Sequence, residues 1–177
     1  LAALVAGASE VVGIEGREDL VKDSKETILS YGFSAPKIDF HAGDILKTLR
    51  SMPKRKFDII LNLGFFYHTI QHVEIVDELS RFNPDVMITD TAISGKEGSV
   101  IELVVEDTSD PRMSLDYGHA RRGRVITGSP SLESIALMMD INGYDTQFYD
   151  WLKHSDRLTE LEDYKNGSRV TAVSRLR

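Results

Sequence analysis

The chain has 177 residues, 41% of them hydrophobic, which suffices for one sizeable core. With 28 acidic against 21 basic side chains, a formal charge of -7 and no cysteine, a broad nucleic-acid-binding face is disfavoured, and disulfide frameworks, thiolate zinc sites and cysteine nucleophiles are excluded. No apolar run approaches a membrane span and no basic start of a signal peptide leads the chain, so the expectation is a soluble, cytoplasmic protein with no membrane partner.

The predicted elements alternate, the pattern of an α/β fold with a parallel sheet between helices. "LAALVAGAS" reads as a helical stretch ending near Gly7, and "EVVGIEG" as a short buried strand with an acid at its tip. "REDLVKDSKETILSYGF" has acids in its first turn, places Leu20, Val21, Ser24, Ile28 and Tyr31 on one helical face, and stops at Gly32. "KIDFHAGDI" alternates as a strand ending at Gly43 and Asp44; a short segment, Leu46 to Met52, precedes the buried strand "KFDIILNLGF". The amphipathic helix "HVEIVDELSRF" then leads to the strands "PDVMITDTA" and "SVIELVVED". Residues 108–124 are polar, basic and rich in turn formers. Ser129 and Pro130 read as N-cap and first residue of a helix running to Ile141 and closed by Asn142 and Gly143. "YDTQFYDW" and "RVTAVSRL" are joined by a polar loop without a clear crossover helix, which predicts an antiparallel pair.

In open α/β sheets ligands bind outside the carboxyl ends of the strands. Glu15 stands at one such tip, where a carboxylate either accepts both hydroxyls of a ribose or is a solvated turn residue. Asp44 stands at the next, where it either accepts from an adenine amino group, with Ile45 over the ring, or caps the following helix. Acids on two successive tips outline a nucleoside site.

These elements, in the order "VVGIEGRE", "IDFHAGDI", "FDIILNLGFFYH", "PDVMITDT" and a final strand pair, resemble the class I S-adenosylmethionine-dependent methyltransferases over nearly the whole chain. The resemblance implies a Rossmann-like, doubly wound, mostly parallel sheet of seven strands with an antiparallel C-terminal hairpin, and S-adenosylmethionine as cofactor. It also implies Glu15 with Gly16 at the ribose, Asp44 with Ile45 at the adenine, and Asn62, Leu63 and Gly64 beside the methionine portion. The family's first strand and glycine-rich loop belong before the helix that "LAALVAGAS" resembles, so residues 1–177 are expected to be a single, N-terminally truncated methyltransferase domain lacking that strand. "LGFFYH", followed by "YGHARRGRVITGSPSLESIALMMDINGYD", is similar to the tRNA wobble-uridine 5-oxyacetate methyl/carboxymethyl transferase group. That similarity implies roles for Tyr67, His68, Tyr117 and Arg121 and brings in tRNA as a partner, although no extended basic surface accompanies it.

Methyl transfer from a sulfonium is an in-line displacement, in which the protein aligns the acceptor and, for a hydroxyl, removes its proton. His68, just past a strand tip, is either that proton acceptor or a helix-start histidine satisfied by backbone. Tyr67 either hydrogen-bonds acceptor or cofactor or packs on the sheet. His68 and His72 are four apart, the spacing of a metalloprotease pair, but Thr69 stands where that motif needs its Glu, so no metal is expected and His72 reads as a surface residue. Arg121, Arg122 and Arg124 either recognise an anionic acceptor or cofactor substituent, or pair with Asp107, Asp110 or Asp116 in a solvated turn. The expected activity is O-methylation of a small molecule, sugar or modified nucleoside. Two rivals are a Rossmann-type NAD-dependent oxidoreductase, which also places an acid on the ribose, and a noncatalytic nucleotide-binding or interaction domain.

Overall fold

The computed structural model describes residues 1–110, 120–153 and 161–177, which form two units, Leu1–Pro53 and Lys54–Arg177. In the first, β1 (Val11–Glu15) and β2 (Ile38–Ala42) pair in parallel, with Glu15 opposite Ala42. Gly13 lies opposite Phe40, and a Cβ at Gly13 would stand 2.8 Å from the Phe40 ring, so only glycine admits that ring against the strand. Helix α1 (Ala2–Val5) precedes β1, α2 (Glu18–Ser30) crosses between the strands, and α3 (Ile45–Ser51) follows β2. Val21 and Ile28 of α2 are buried, whereas Leu20 and Tyr31, expected on the same face, are exposed, Tyr31 to 67%. Residues seven apart lie on one narrow stripe, and a two-stranded sheet covers no more of the helix than that.

The second unit is built on a four-stranded sheet in the order β3-β4-β8-β7, from β3 (Ile59–Leu63), β4 (Val86–Ala92), β7 (Tyr144–Phe148) and β8 (Arg169–Leu176). β3 and β4 are parallel; β8 runs antiparallel to both β4 and β7, the C-terminal arrangement predicted from the absence of a crossover helix. Helices α4 (His72–Ser80) and α5 (Leu132–Ile141) bury Ile75, Val76, Leu79, Ile135, Met138 and Met139. One turn, α6 (Glu162–Lys165), leads into β8. β3 is an edge strand of this sheet: Asn62 is buried, while Ile59, Leu61 and Leu63 are exposed, so the expected buried strand is buried on one face only.

The segment before α5 differs from its sequence reading. Arg124–Pro130 is a strand, β6, paired antiparallel with β5 (Ile101–Asp107). Ser129 and Pro130 end that strand, and the cap of α5 is Ser131, whose Oγ accepts from the Ser134 N–H at 3.2 Å. Val125, Ile126 and Thr127 are all β-branched, and pairing with β5 wins over the local Ser-Pro helix-start signal.

His72 is fully buried rather than on the surface. Its Nε2–H donates to the Gly128 carbonyl at 3.0 Å, and the Gly128 N–H donates to the Thr69 carbonyl at 2.8 Å. A Cβ at Gly128 would meet Ile101, His72 and Ile70 side chains. Gly128→Ala is therefore expected to lower the unfolding free energy by about 1–3 kcal/mol in urea denaturation, the cost of overpacking. Burial also lowers the pKa of His72 below its ordinary 6.5. The unfolded imidazole takes up a proton near that value while the folded one resists it, so this stability is present above pH 6.5 and is lost as the pH falls toward the depressed folded value. The urea midpoint should fall between about pH 7.5 and about pH 5.5, and His72→Gln, which keeps a donor but does not titrate, should flatten that fall.

Candidate functional site

In the first unit the parallel strands bring their carboxyl ends together: the Gly43 N–H donates to the Glu15 carbonyl at 2.9 Å, placing the segment after β2 beside the end of β1. The Glu15 carboxylate accepts from the Arg17 N–H at 3.0 Å, an interaction that holds it at the turn after Gly16. Asp44 caps α3, with Oδ1 accepting from the Lys47 N–H at 2.9 Å and Ile45 as the first helical residue. Along α2, a shallow concavity lined by Glu18, Val21, Lys22 and Lys25 contains none of the candidate site residues.

In the second unit the tips of β3 and β4 carry most of the candidate chemistry. The Gly64 N–H donates to the Asp90 carbonyl at 2.9 Å, and Gly64 takes a φ of 70°, a left-handed conformation that frees the chain to turn sharply out of the strand. Phe66, Tyr67 and His68 follow as one 3₁₀ turn, anchored by the fully buried Phe66 and by the His68 N–H on the Phe65 carbonyl at 2.8 Å. The Tyr67 and His68 rings lie 4.0 Å apart. Behind them, the Asn62 Nδ2 is buried at the end of β3 with no hydrogen-bond partner among the described residues.

His68 faces Glu106 across the hairpin of β5 and β6. Its Nδ1 lies 2.8 Å from Oε1 and 2.9 Å from Oε2 of Glu106, whose side chain is 7% exposed against 15% for the histidine. His72 uses its Nε2 on Gly128, so the two histidines engage different partners and do not converge. Among the described residues no group of three His, Cys, Asp or Glu side chains is arranged to hold a metal ion.

A second polar cluster sits at the tip of β4. Asp90 accepts from Arg169 Nε at 2.7 Å on Oδ1, and from the Tyr164 hydroxyl at 2.7 Å and the Thr171 hydroxyl at 2.5 Å on Oδ2. Trp151 Nε1–H in turn donates to Thr171 Oγ1 at 2.9 Å. The Arg169 guanidinium stands 5.5 Å from the centre of the Tyr67 ring. Burial opposes its charge, but hydrogen bonds with Tyr67 and Asp90 outweigh burial and raise its pKa further. Burial, reinforced by the hydrogen bond to Asp90, likewise raises the Tyr164 hydroxyl.

Arg121 and Arg124 close a tight turn, each N–H donating to the other's carbonyl, with Arg122 and Gly123 at its apex in left-handed conformations of φ 53° and 72°. The turn stands at the end of the hairpin that carries Glu106, where Asp107 pairs with Arg124. The Asp107 carboxylate accepts from the N–H and the hydroxyl of Ser109. Tyr117 lies outside the described residues, as does Asp116.

Glu106, Asp90, Arg169, Tyr164 and Thr171 escaped the sequence reading. Asp90 was detectable, because it stands at a strand tip as Glu15 does. Glu106 was not, because strand alternation in "IELVVED" puts it on a face with Glu102 and Val104 that reads as solvated.

No protein-family model and no curated protein matches the sequence. Among solved structures, the chain is similar to the N-terminal domain of EvdMO1 with S-adenosylhomocysteine bound, with 16% identity and a TM-score of 0.68 over 99% of this chain and 69% of that one. It is similar to the same domain in the presence of S-adenosylhomocysteine and D-fucose, with 16% identity and a TM-score of 0.66 over 95% and 66%. A third likeness is to an S-adenosylmethionine-dependent methyltransferase from Mesorhizobium loti, at 11% identity and a TM-score of 0.65 over 98% and 83%. These likenesses show the fold: a Rossmann-like α/β architecture of the kind found in S-adenosylmethionine-dependent methyltransferases.

Replacing Asp90 by Asn leaves the half-buried Arg169 without its countercharge. Asp90→Asn is expected to cost about 3 kcal/mol of stability in urea denaturation, the penalty of breaking a largely buried ion pair from one side.

Proposed function

We propose that the protein is an S-adenosylmethionine-dependent methyltransferase acting on the hydroxyl of a small-molecule, sugar or modified-nucleoside acceptor. The observation that carries this function is the orphaned Asn62 Nδ2 at the end of β3, on a fold shared with structures that bind S-adenosylhomocysteine. A buried amide donor without a partner is costly, and a bound carboxylate or carbonyl relieves the cost. Asn62, Leu63 and Gly64 are assigned to the methionine portion of the cofactor. At the tips of the first unit, Glu15 with Gly16 is assigned to the ribose hydroxyls, and Asp44 with Ile45 to the adenine. The Asp44 cap uses one carboxylate oxygen and is compatible with that role. When bound, the cofactor supplies an electrophilic methyl group.

His68 is assigned to accept the acceptor's proton and Tyr67 to orient the acceptor. Arg121 and Arg122, with Tyr117, are assigned to an anionic part of the acceptor. The small-molecule class is favoured by the acidic composition and by the neighbour studied in the presence of D-fucose; tRNA rests on the sequence similarity alone. A cytoplasmic location is the setting proposed for such an enzyme, and no helix among the described residues is long and apolar enough to cross a membrane.

Calorimetry with S-adenosylhomocysteine and with NAD tests the cofactor. Binding of S-adenosylhomocysteine, weakened about 10-fold by Asn62→Ala through the loss of one hydrogen bond, is expected. Binding of NAD alone would refute the assignment.

A further inference from the structure

We infer that Asn166 is a modification site: its side-chain amide hydrolyses spontaneously to aspartate and isoaspartate, and the isoaspartyl product loosens the start of the strand that supplies Arg169. The chemistry needs only water and does not depend on the cofactor assignment. The sequence holds two Asn-Gly steps, Asn142–Gly143 after α5 and Asn166–Gly167 after α6. Each asparagine is the C-cap of its helix, and each glycine follows in a left-handed conformation, with φ of 89° and 75°. A glycine leaves its backbone nitrogen unshielded by a side chain, so attack of that nitrogen on the neighbouring amide carbon is least hindered there.

The two steps differ in what their reacting groups are already bonded to. The Gly143 N–H donates to the Asp140 carbonyl at 3.0 Å, the inner bond of a helix-ending turn. The Asn142 Nδ2 donates to Asp77 Oδ1 and to the Met138 carbonyl, both at 3.0 Å, and both residues of the step are half-buried. Nucleophile and leaving group are thus both tied. After α6 the outer bond of the turn forms, from the Ser168 N–H to the Asp163 carbonyl at 3.0 Å. The Gly167 N–H, which would make the inner bond to Tyr164, has no partner among the described residues, and Asn166 and Gly167 are exposed. Asn166 Oδ1 accepts from the Ser168 N–H at 2.9 Å. That bond polarises the side-chain carbonyl and stabilises the oxyanion that forms when its carbon is attacked.

In the proposed reaction solvent base takes the proton from the Gly167 nitrogen, whose electron pair forms a bond to Asn166 Cγ. The bond from Cγ to Nδ2 breaks and ammonia leaves with a proton from water, closing a cyclic imide. Water then adds to either carbonyl of the imide, and the broken C–N pair returns to nitrogen with a proton. One opening gives aspartate on an unaltered main chain. The other gives isoaspartate, whose main chain runs through Cβ and gains a carbon. Little room exists for that carbon. The Ser168 carbonyl receives the Ile93 N–H at 2.9 Å, its hydroxyl reaches the Asp163 carbonyl at 3.3 Å, and Arg169, the next residue, donates to Asp90 at 2.7 Å. A lengthened chain at Asn166 pushes on all of these bonds.

The purified full chain, held at physiological temperature in mildly alkaline buffer, is followed by peptide mass mapping with an isoaspartate assay. Hydrolysis is expected at Asn166 and should be at least about 10-fold slower at Asn142, where the bonds to Asp140, Asp77 and Met138 must open first. In urea the two asparagines should react at similar rates. Aged wild-type protein should melt at a lower temperature than fresh protein, whereas Asn166→Gln aged alongside it should not change. Fresh Asn166→Asp, which has the new charge on an unaltered main chain, should melt nearly as wild type does. Equal or faster loss at Asn142 in the folded chain, an intact Asn166 over a period in which the urea-unfolded chain reacts there, or the same preference in urea overturns the site. An unchanged melting temperature in protein that carries isoaspartate overturns its effect on β8.

Discussion

The N–H and C=O of Gly128 are both taken by the segment that leaves β3: one reaches the Thr69 carbonyl, the other the ring of His72. These two bonds fasten β6 to the turn that carries Tyr67 and His68. They also satisfy a strand edge that would otherwise be open to pairing with another chain. Because β5 is zipped to β6, the same contact sets Glu106 opposite His68. Glycine is required at position 128 because any larger residue would push the edge away from Ile101, His72 and Ile70.

The other side of that turn is held by Asp90. Its carbonyl receives the Gly64 N–H, and its carboxylate gathers Arg169, Tyr164 and Thr171. One acid at a strand tip thus joins β3, β4, β8 and the turn α6, and brings a guanidinium over Tyr67. The arrangement suits a site whose work is to align groups, because alignment in a displacement contributes only when the positions are held in advance.

The likeness to methyltransferase structures at 10–16% identity is a likeness of fold, and function resides in the site built on it. Individual side chains carry the rest of the case. Asn62 offers a buried donor with no partner among the described residues, and His68 is paired with the buried carboxylate of Glu106. Glu15 and Asp44 each make a local hydrogen bond, to the Arg17 and Lys47 N–H groups, and each leaves carboxylate capacity for the roles proposed for it.

The sequence by itself determined the alternation of strands and helices, the antiparallel C-terminal pair, the strand-tip acids Glu15 and Asp44, and the delivery of Tyr67 and His68 after β3. All of these are local signals, carried by hydrophobic period, turn residues and the direction of the chain. Only the tertiary structure decided that His72 is buried, that Arg124–Pro130 is a strand, and that Glu106 and Arg169 face the turn after β3. Each depends on a partner far along the chain. A histidine is buried only if a distant carbonyl receives its N–H, and Val125 to Thr127 become a strand only because β5 lies alongside. Glu106 is indistinguishable from a solvated strand residue until the fold brings an imidazole against it.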